Sequence, residues 1–324
     1  MSRAKYRHNL PQLSDRLFLT DGGIETTLVF LERHELPYFA AFDLLKTEKG
    51  ERALSDYFTR YITLAMAHGT GFVLESPTWR ANADWGGKLG YSAAALAEMN
   101  RKSIALMAEL RDRHKTGKSP IVISGCVGPR GDGYDPGREM SVAEAAAYHA
   151  GQIKTFSETE ADMVTAITMT NANEAIGVTR AAAAVAMPVA ISFTLETDGR
   201  LPTGQSLQDA IEAVDTATAR TPAYYMINCA HPTHFDGVLA AGEDWVERVR
   251  GIRANASKRS HAELDQAKDL DDGDPVELGR QYRELRRRFT HFNVLGGCCG
   301  TDHRHVEQIC FACTSPSSGL QAAE

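Results

Sequence analysis

The sequence predicts an α/β protein folded as a single (β/α)8 TIM barrel. Short β-type runs alternate with longer helical patterns along the 324 residues, and such repetition implies parallel strands joined by crossovers. Eight runs suit a closed barrel better than an open doubly wound sheet, the second architecture considered. Hydrophobic residues at 43% and charged residues at 24% are an ordinary globular balance, which excludes a disordered or fibrous chain. The expected division is a barrel over residues 1–313 and a short polar tail over 314–324.

The first run, Leu17-Phe18-Leu19-Thr20, ends at Asp21-Gly22-Gly23. The second, Gly71-Phe72-Val73-Leu74, ends at Glu75-Ser76-Pro77. The third, Ile121-Val122-Ile123-Ser124, ends at Gly125-Cys126-Val127-Gly128-Pro129. A weaker fourth covers Met163 to Thr168, and the fifth covers Val189 to Phe193. The sixth, Ala223 to Ile227, ends at Asn228-Cys229, and a poorly defined seventh lies near Val249 to Ala254. The eighth, Phe292 to Leu295, ends at Gly296-Gly297-Cys298-Cys299-Gly300. Helical patterns cover 93–113, 142–158, 173–186, 207–219, 276–288 and 303–311. The second of these follows Ser141 with Glu144 three residues on, the arrangement of a capping box. Ser257 to Pro275 is polar and charged and reads as a long loop or partly mobile insertion.

A formal charge of -7 argues against nucleic acid or an anionic membrane as the main partner. No stretch approaches the roughly 18 apolar residues of a membrane helix. The basic N-terminus lacks a following apolar signal core, so a cytoplasmic protein is expected. Six cysteines are too few for a disulfide scaffold, and in a reducing compartment clustered cysteines point to metal or catalysis.

Three cysteines share one kind of position. Cys229 follows the sixth strand, and Cys298 and Cys299 follow the eighth. In a parallel barrel all strand C-termini open on one face, where active sites form. Three thiolates suit Zn2+, and a three-ligand site leaves a fourth position for water or substrate. Gly296, Gly297 and Gly300 offer the backbone freedom that adjacent ligands need. The plainer reading is three buried cysteines at strand ends; a vicinal Cys298–Cys299 disulfide is a third. Cys310 and Cys313 lack a second pair at zinc-finger spacing and read as structural, and Cys126 reads as a packed small residue.

Asp21-Gly22-Gly23, Gly125-Cys126-Val127-Gly128-Pro129, Asp198 to Gln205, Asn228-Cys229 and Gly296 to Thr301 together resemble the homocysteine S-methyltransferase family. The resemblance runs from about residue 17 to 311. It implies zinc held by Cys229, Cys298 and Cys299, with a thiol, homocysteine in characterised members, in the fourth position. It implies that Asp21 meets the substrate ammonium, that backbone N–H groups near Gly22 and Gly23 meet its carboxylate, and that Asn228 lies beside the metal. A coordinating thiol is deprotonated, and the thiolate is the nucleophile. The activity implied is methyl transfer from a small sulfonium or quaternary ammonium to the thiol, within methionine biosynthesis. Cobalamin-dependent members carry further domains, so direct transfer from a small donor is expected here, with a monomer or homodimer as the assembly.

The pattern departs from the family at the fourth strand. The family's Glu, a second partner of the ammonium, aligns with Ile167, followed by Thr168. Glu75 is placed to replace it, with Glu174 and Glu196 as weaker candidates. The alternative to methyl transfer is therefore a zinc thiol-binding barrel acting on another thiol, or a sensor. Trp79, Trp85, Tyr91 and Tyr134 are candidate walls for a cationic donor, and Arg130 and Asp132 candidate contacts. His231 and His234 follow Cys229 but read as surface or supporting residues.

Overall fold

The computed structural model describes residues 4–115, 117–240 and 242–315. Eight parallel strands close into a barrel in sequence order, with the first pairing the last. They are β1 (Phe18–Leu19), β2 (Gly71–Glu75), β3 (Ile121–Val127), β4 (Met163–Met169), β5 (Val189–Thr194), β6 (Tyr224–Asn228), β7 (Val249–Ala254) and β8 (Val294–Gly297). The crossover helices are α1 (Glu48–Ala67), α2 (Ala93–Arg113), α3 (Val142–Ser157), α4 (Ala172–Ala184), α5 (Leu207–Thr218), the one-turn α6 (Pro232–Phe235), α7 (Pro275–Arg288) and α8 (His303–Thr314). The expected tail from 314 lies outside the described residues beyond Ser315.

Side chains alternate across each strand, so every second residue enters the bore. Phe18, Val73, Val122, Met163, Ala190, Tyr224 and Val294 form an apolar floor there. Leu10 joins that floor from below, and the adjoining chain is tied down where the Tyr6 N–H donates to Asp162 at 2.6 Å. Two positions further along the strands the bore turns polar, with Glu75, Ser124, Thr165, Ser192 and Arg253 all buried. The outer core packs helices onto the barrel through residues such as Leu54, Phe58, Ile62, Ile153 and Val178. Each fully buried aliphatic or aromatic side chain of this kind contributes about 1.5–3 kcal/mol.

Two expectations need correction. The helical patterns considered omitted α1, a 20-residue helix capped where the Thr47 hydroxyl accepts the Gly50 N–H. Its buried residues Leu54, Tyr57, Phe58, Tyr61, Ile62 and Ala65 recur at helical spacing, so the signal was present. The segment Ser257 to Pro275 is also not a featureless insertion. It contains a short helix, His261–Asp265, whose N-terminus is a capping box between Ser260 and Glu263. Pro275 opens α7, where its missing N–H costs nothing. Among the described residues no helix is long and apolar enough to cross a membrane.

Candidate metal centre and active-site cavity

A cavity of about 410 Å³ opens at the C-terminal ends of the strands. Cys229, Cys298 and Cys299 line it, and their sulfurs all lie within 4.8 Å of one another. β7 separates their strands, and pairing on both of its edges brings the two junctions together. The Cα atoms of Cys229 and Cys298 are 5.4 Å apart; these two are joined as a disulfide, and Cys299 is a free thiol. The vicinal Cys298–Cys299 disulfide, the third reading considered, is not the pairing formed. Reduction of the pair makes three thiols available to a metal. Sulfurs each 2.3 Å from one zinc at tetrahedral angles stand about 3.8 Å apart, so the bonded pair has to separate on reduction before the three can share an ion.

The backbone around the cysteines explains their convergence. Cys229 has a φ of 53°, in the left-handed region that disfavours a side chain. It is fixed there by its N–H donating to the Arg253 carbonyl at 3.1 Å and by Asn255 donating to its own carbonyl at 3.0 Å. Strain so over-determined is a feature of functional sites. Of the glycines flanking Cys298 and Cys299, only Gly300 has a positive φ, 78°. Gly296 and Gly297 serve a different purpose: a Cβ would collide with Thr20 and Thr301 respectively.

Tyr134, on the loop after β3, reaches over the cluster. Its hydroxyl lies 3.5 Å from the Cys229 sulfur and 3.3 Å from that of Cys299. Burial pushes the Tyr134 phenol well above its ordinary range, so it keeps its proton. Its ring stacks on His261 with centroids 4.1 Å apart. The loop after β3 and the short helix after β7 thus meet above the sulfurs. Burial lowers His261 to about 4, leaving it neutral.

Asp21 lines the cavity as expected, but its carboxylate is already occupied. Arg253 donates to Oδ1 at 2.6 Å, and the Tyr57 hydroxyl donates to Oδ2 at 3.0 Å. Burial raises the Asp21 carboxyl, against the pull of Arg253 and Tyr57. Arg253 also donates from Nε to Gly297 and from Nη2 to Gly22 carbonyls, while its Nη1 is buried without a partner. Burial works against the Arg253 charge, but Asp21 and Glu75 more than offset it, so the guanidinium stays charged. Gly22 and Gly23 line the cavity too, yet the Gly23 N–H is spent on the Thr301 carbonyl at 2.9 Å.

Glu75 is 5% exposed, and its Oε2 has no partner. Burial lifts it to about 7. Glu25, one turn beyond Asp21, is lifted to about 7 by the same cause. Asn228 is not among the residues that line the cavity: its amide accepts from the Thr168 N–H at 3.0 Å and from Ser192 at 2.5 Å, and donates to the Thr168 hydroxyl. It positions the backbone below Cys229. Ile167 and Thr168 line the cavity, the latter with a φ of 65°.

The aromatic residues divide. Tyr134 and Trp79 line the cavity, but the Arg80 guanidinium lies 4.5 Å from the Trp79 ring and 3.6 Å from that of Trp85. Tyr91 is turned to Asp43, with its hydroxyl donating at 2.7 Å. Asp132 lines the cavity, whereas Arg130 bonds Asp84. Glu174 is held by His149 at 2.8 Å, and His231 caps α6. Cys126 borders the cavity, while Cys310 is buried in the outer core with Cys313 packed against it. Arg253, Arg80, Glu25 and His261 are site residues that the sequence reading missed. For Arg253 a signal existed, a charged residue on the inward phase of a strand.

The homocysteine S-methyltransferase family model matches residues 18–313. Two solved structures of the homocysteine methyltransferase MmuM from Escherichia coli, a metallated and an oxidised form, are similar in fold. Each has a TM-score of 0.71 and 17% identity over 93% of this chain, and covers 98% and 97% of its own length respectively. The apo form of the same enzyme superposes with a TM-score of 0.62 at 17% identity, over 94% of this chain and 98% of its own. With the family model running from β1 to α8, this chain is a methyltransferase of the homocysteine S-methyltransferase family.

Proposed function

We propose that the protein is a zinc-dependent S-methyltransferase that moves a methyl group from a small sulfonium or quaternary-ammonium donor to a thiol bound among Cys229, Cys298 and Cys299. Homocysteine is the family's acceptor and the reference substrate. The carrying observation is the convergence of three sulfurs within 4.8 Å inside the cavity. Bound zinc supplies a charge that ionises a coordinated thiol near neutral pH.

The chain's own residues do the rest. Cys229, Cys298 and Cys299 would hold the ion, with the Tyr134 hydroxyl beside two of their sulfurs. The Tyr134–His261 stack and Leu264 shield the sulfurs from bulk water. Asp132, Asp265, Asp269 and Asp271 line the cavity and favour a cationic donor. The acceptor sulfur forms the new bond to the methyl carbon. The donor's carbon–sulfur or carbon–nitrogen bond breaks, and its electron pair stays on the donor, which leaves one positive charge lighter. The thiol proton departs beforehand to solvent. Alignment of the two reactants within the cavity lowers the barrier by removing the cost of bringing them together.

The test is metal analysis with methyl-transfer assays on reduced, zinc-loaded protein. We expect one zinc per chain, lost together with transfer in Cys298→Ser. S-Methylmethionine, betaine, dimethylsulfoniopropionate and S-adenosylmethionine crossed with thiols identify the donor. Full activity without metal would exclude the proposal; thiol binding without turnover on any donor would favour a thiol sensor.

A further inference from the structure

We propose that the acceptor is a mercaptocarboxylate: a thiol whose far end is a carboxylate read by Arg253, with no ammonium group beside it. This rests on the methyl-transfer reading for the thiol end alone; the far end is argued from groups that the sulfurs do not involve. Asp21 is the most buried acid lining the cavity, 3% exposed, and both of its oxygens are taken, one by Arg253 and one by Tyr57. An ammonium arriving there would meet a guanidinium already 2.6 Å from the same carboxylate. Like charges sharing one buried partner repel strongly where water is scarce.

The groups left unsatisfied point to the opposite charge. Arg253 is 6% exposed and keeps an unpartnered Nη1 donor. Arg80, 9% exposed, keeps Nε and Nη1 unpartnered. Both arginines line the same cavity as the cysteines. Buried donors without partners are rare and mark a missing acceptor. A guanidinium and a carboxylate make the strongest such pair. Ile167 adds an apolar surface to the same cavity. Asp132, Asp265 and Asp269 are exposed and Asp271 half-buried where they border the cavity, on the side left to the donor; nearer Asp21 the acids are Glu25 and Glu75. Burial raises both to about 7, so near neutrality each is partly protonated and able to donate to an anion. A methylthio-carboxylate is then the product.

The test is calorimetric binding of three thiols to full-length, reduced, zinc-loaded protein: 3-mercaptopropionate, homocysteine and cysteamine. In parallel, kcat/KM is measured for each with the best donor. We expect 3-mercaptopropionate to bind roughly ten-fold or more tightly than the other two, as a charge-assisted pair implies. Equal or tighter binding of homocysteine or cysteamine overturns the proposal. Removing Arg253 alone would strand Asp21, so the variant is the double Asp21→Asn with Arg253→Gln, its fold checked by circular dichroism. In it the carboxylate preference should collapse while cysteamine binding stays within about two-fold; a surviving preference also overturns the proposal. Arg253→Lys supplies a second variant and should retain the preference in part; its complete loss with the fold intact would count against a charge-based reading. If the order of binding holds and no donor transfers a methyl, the reaction assignment fails and the acceptor class stands. If transfer to homocysteine dominates, the acceptor class fails and the reaction stands.

Discussion

The Tyr134 hydroxyl contacts two of the three clustered sulfurs. Both hydrogen bonds of its hydroxyl go to these sulfurs, so its loss bears on the cluster. Groups that hydrogen-bond metal ligands tune affinity by about 10–100-fold. Tyr134→Phe is therefore expected to weaken zinc by roughly ten-fold, read by chelator competition, with little change in thermal midpoint of the metal-free protein. Glu75 makes a different prediction. Burial lifts its carboxyl from 4.5 to about 7, against Arg253. The folded chain thus holds this proton more tightly than the unfolded one. The associated stability is complete below pH about 4.5 and is lost as pH rises through about 7. Glu75→Gln should flatten that decline, by up to about 3 kcal/mol between pH 5 and 8. Denaturant titrations of both proteins across that range check it; parallel slopes would refute the assignment.

At the scale of elements, the helix His261–Asp265 forms the roof and depends on few contacts. Ser260 closes its first turn, with Glu263 reaching back to the Ser260 N–H at 2.8 Å. Ser260→Ala should cost this segment about 1 kcal/mol. Local opening would then rise about five-fold while the global unfolding midpoint stays put. Hydrogen exchange over residues 257–275 measures the first quantity and calorimetry the second. This roof shows where sequence and structure part company. A capping box, Ser260 followed by Glu263, was readable in a stretch taken for a loop. The strands were more legible, because β-type runs recur between helical patterns along the whole sequence, the first, second, third, sixth and eighth ending in Gly, Asn or an acidic residue. That regularity placed β7 despite its weak pattern. It also placed the three cysteines on one face, since a parallel barrel leaves them nowhere else. The Arg253–Asp21 pair was not legible. Its partners are 232 residues apart, and only closure of the barrel makes them neighbours.

For the whole molecule, the proposed metal ties the βα junctions on either side of β7. An ion that binds only the folded state stabilises it by mass action, about 2.7 kcal/mol at a hundred-fold excess over its dissociation constant. We expect chelation of the reduced, loaded protein to lower its melting temperature by about 5 °C or more. Scanning calorimetry with and without chelator measures this, and an unchanged midpoint would mean that the cysteines hold no ion of structural weight.

The ring itself closes by pairing its first strand with its last. Phe18 of β1 pairs with Val294 of β8, and Leu10 seals the floor from below. During synthesis the first strand therefore waits, with one edge exposed, until β8 has left the ribosome. The nascent chain is a sheet with an open edge for most of its translation, and it is in that interval, rather than in the finished enzyme, that chaperones have something to guard.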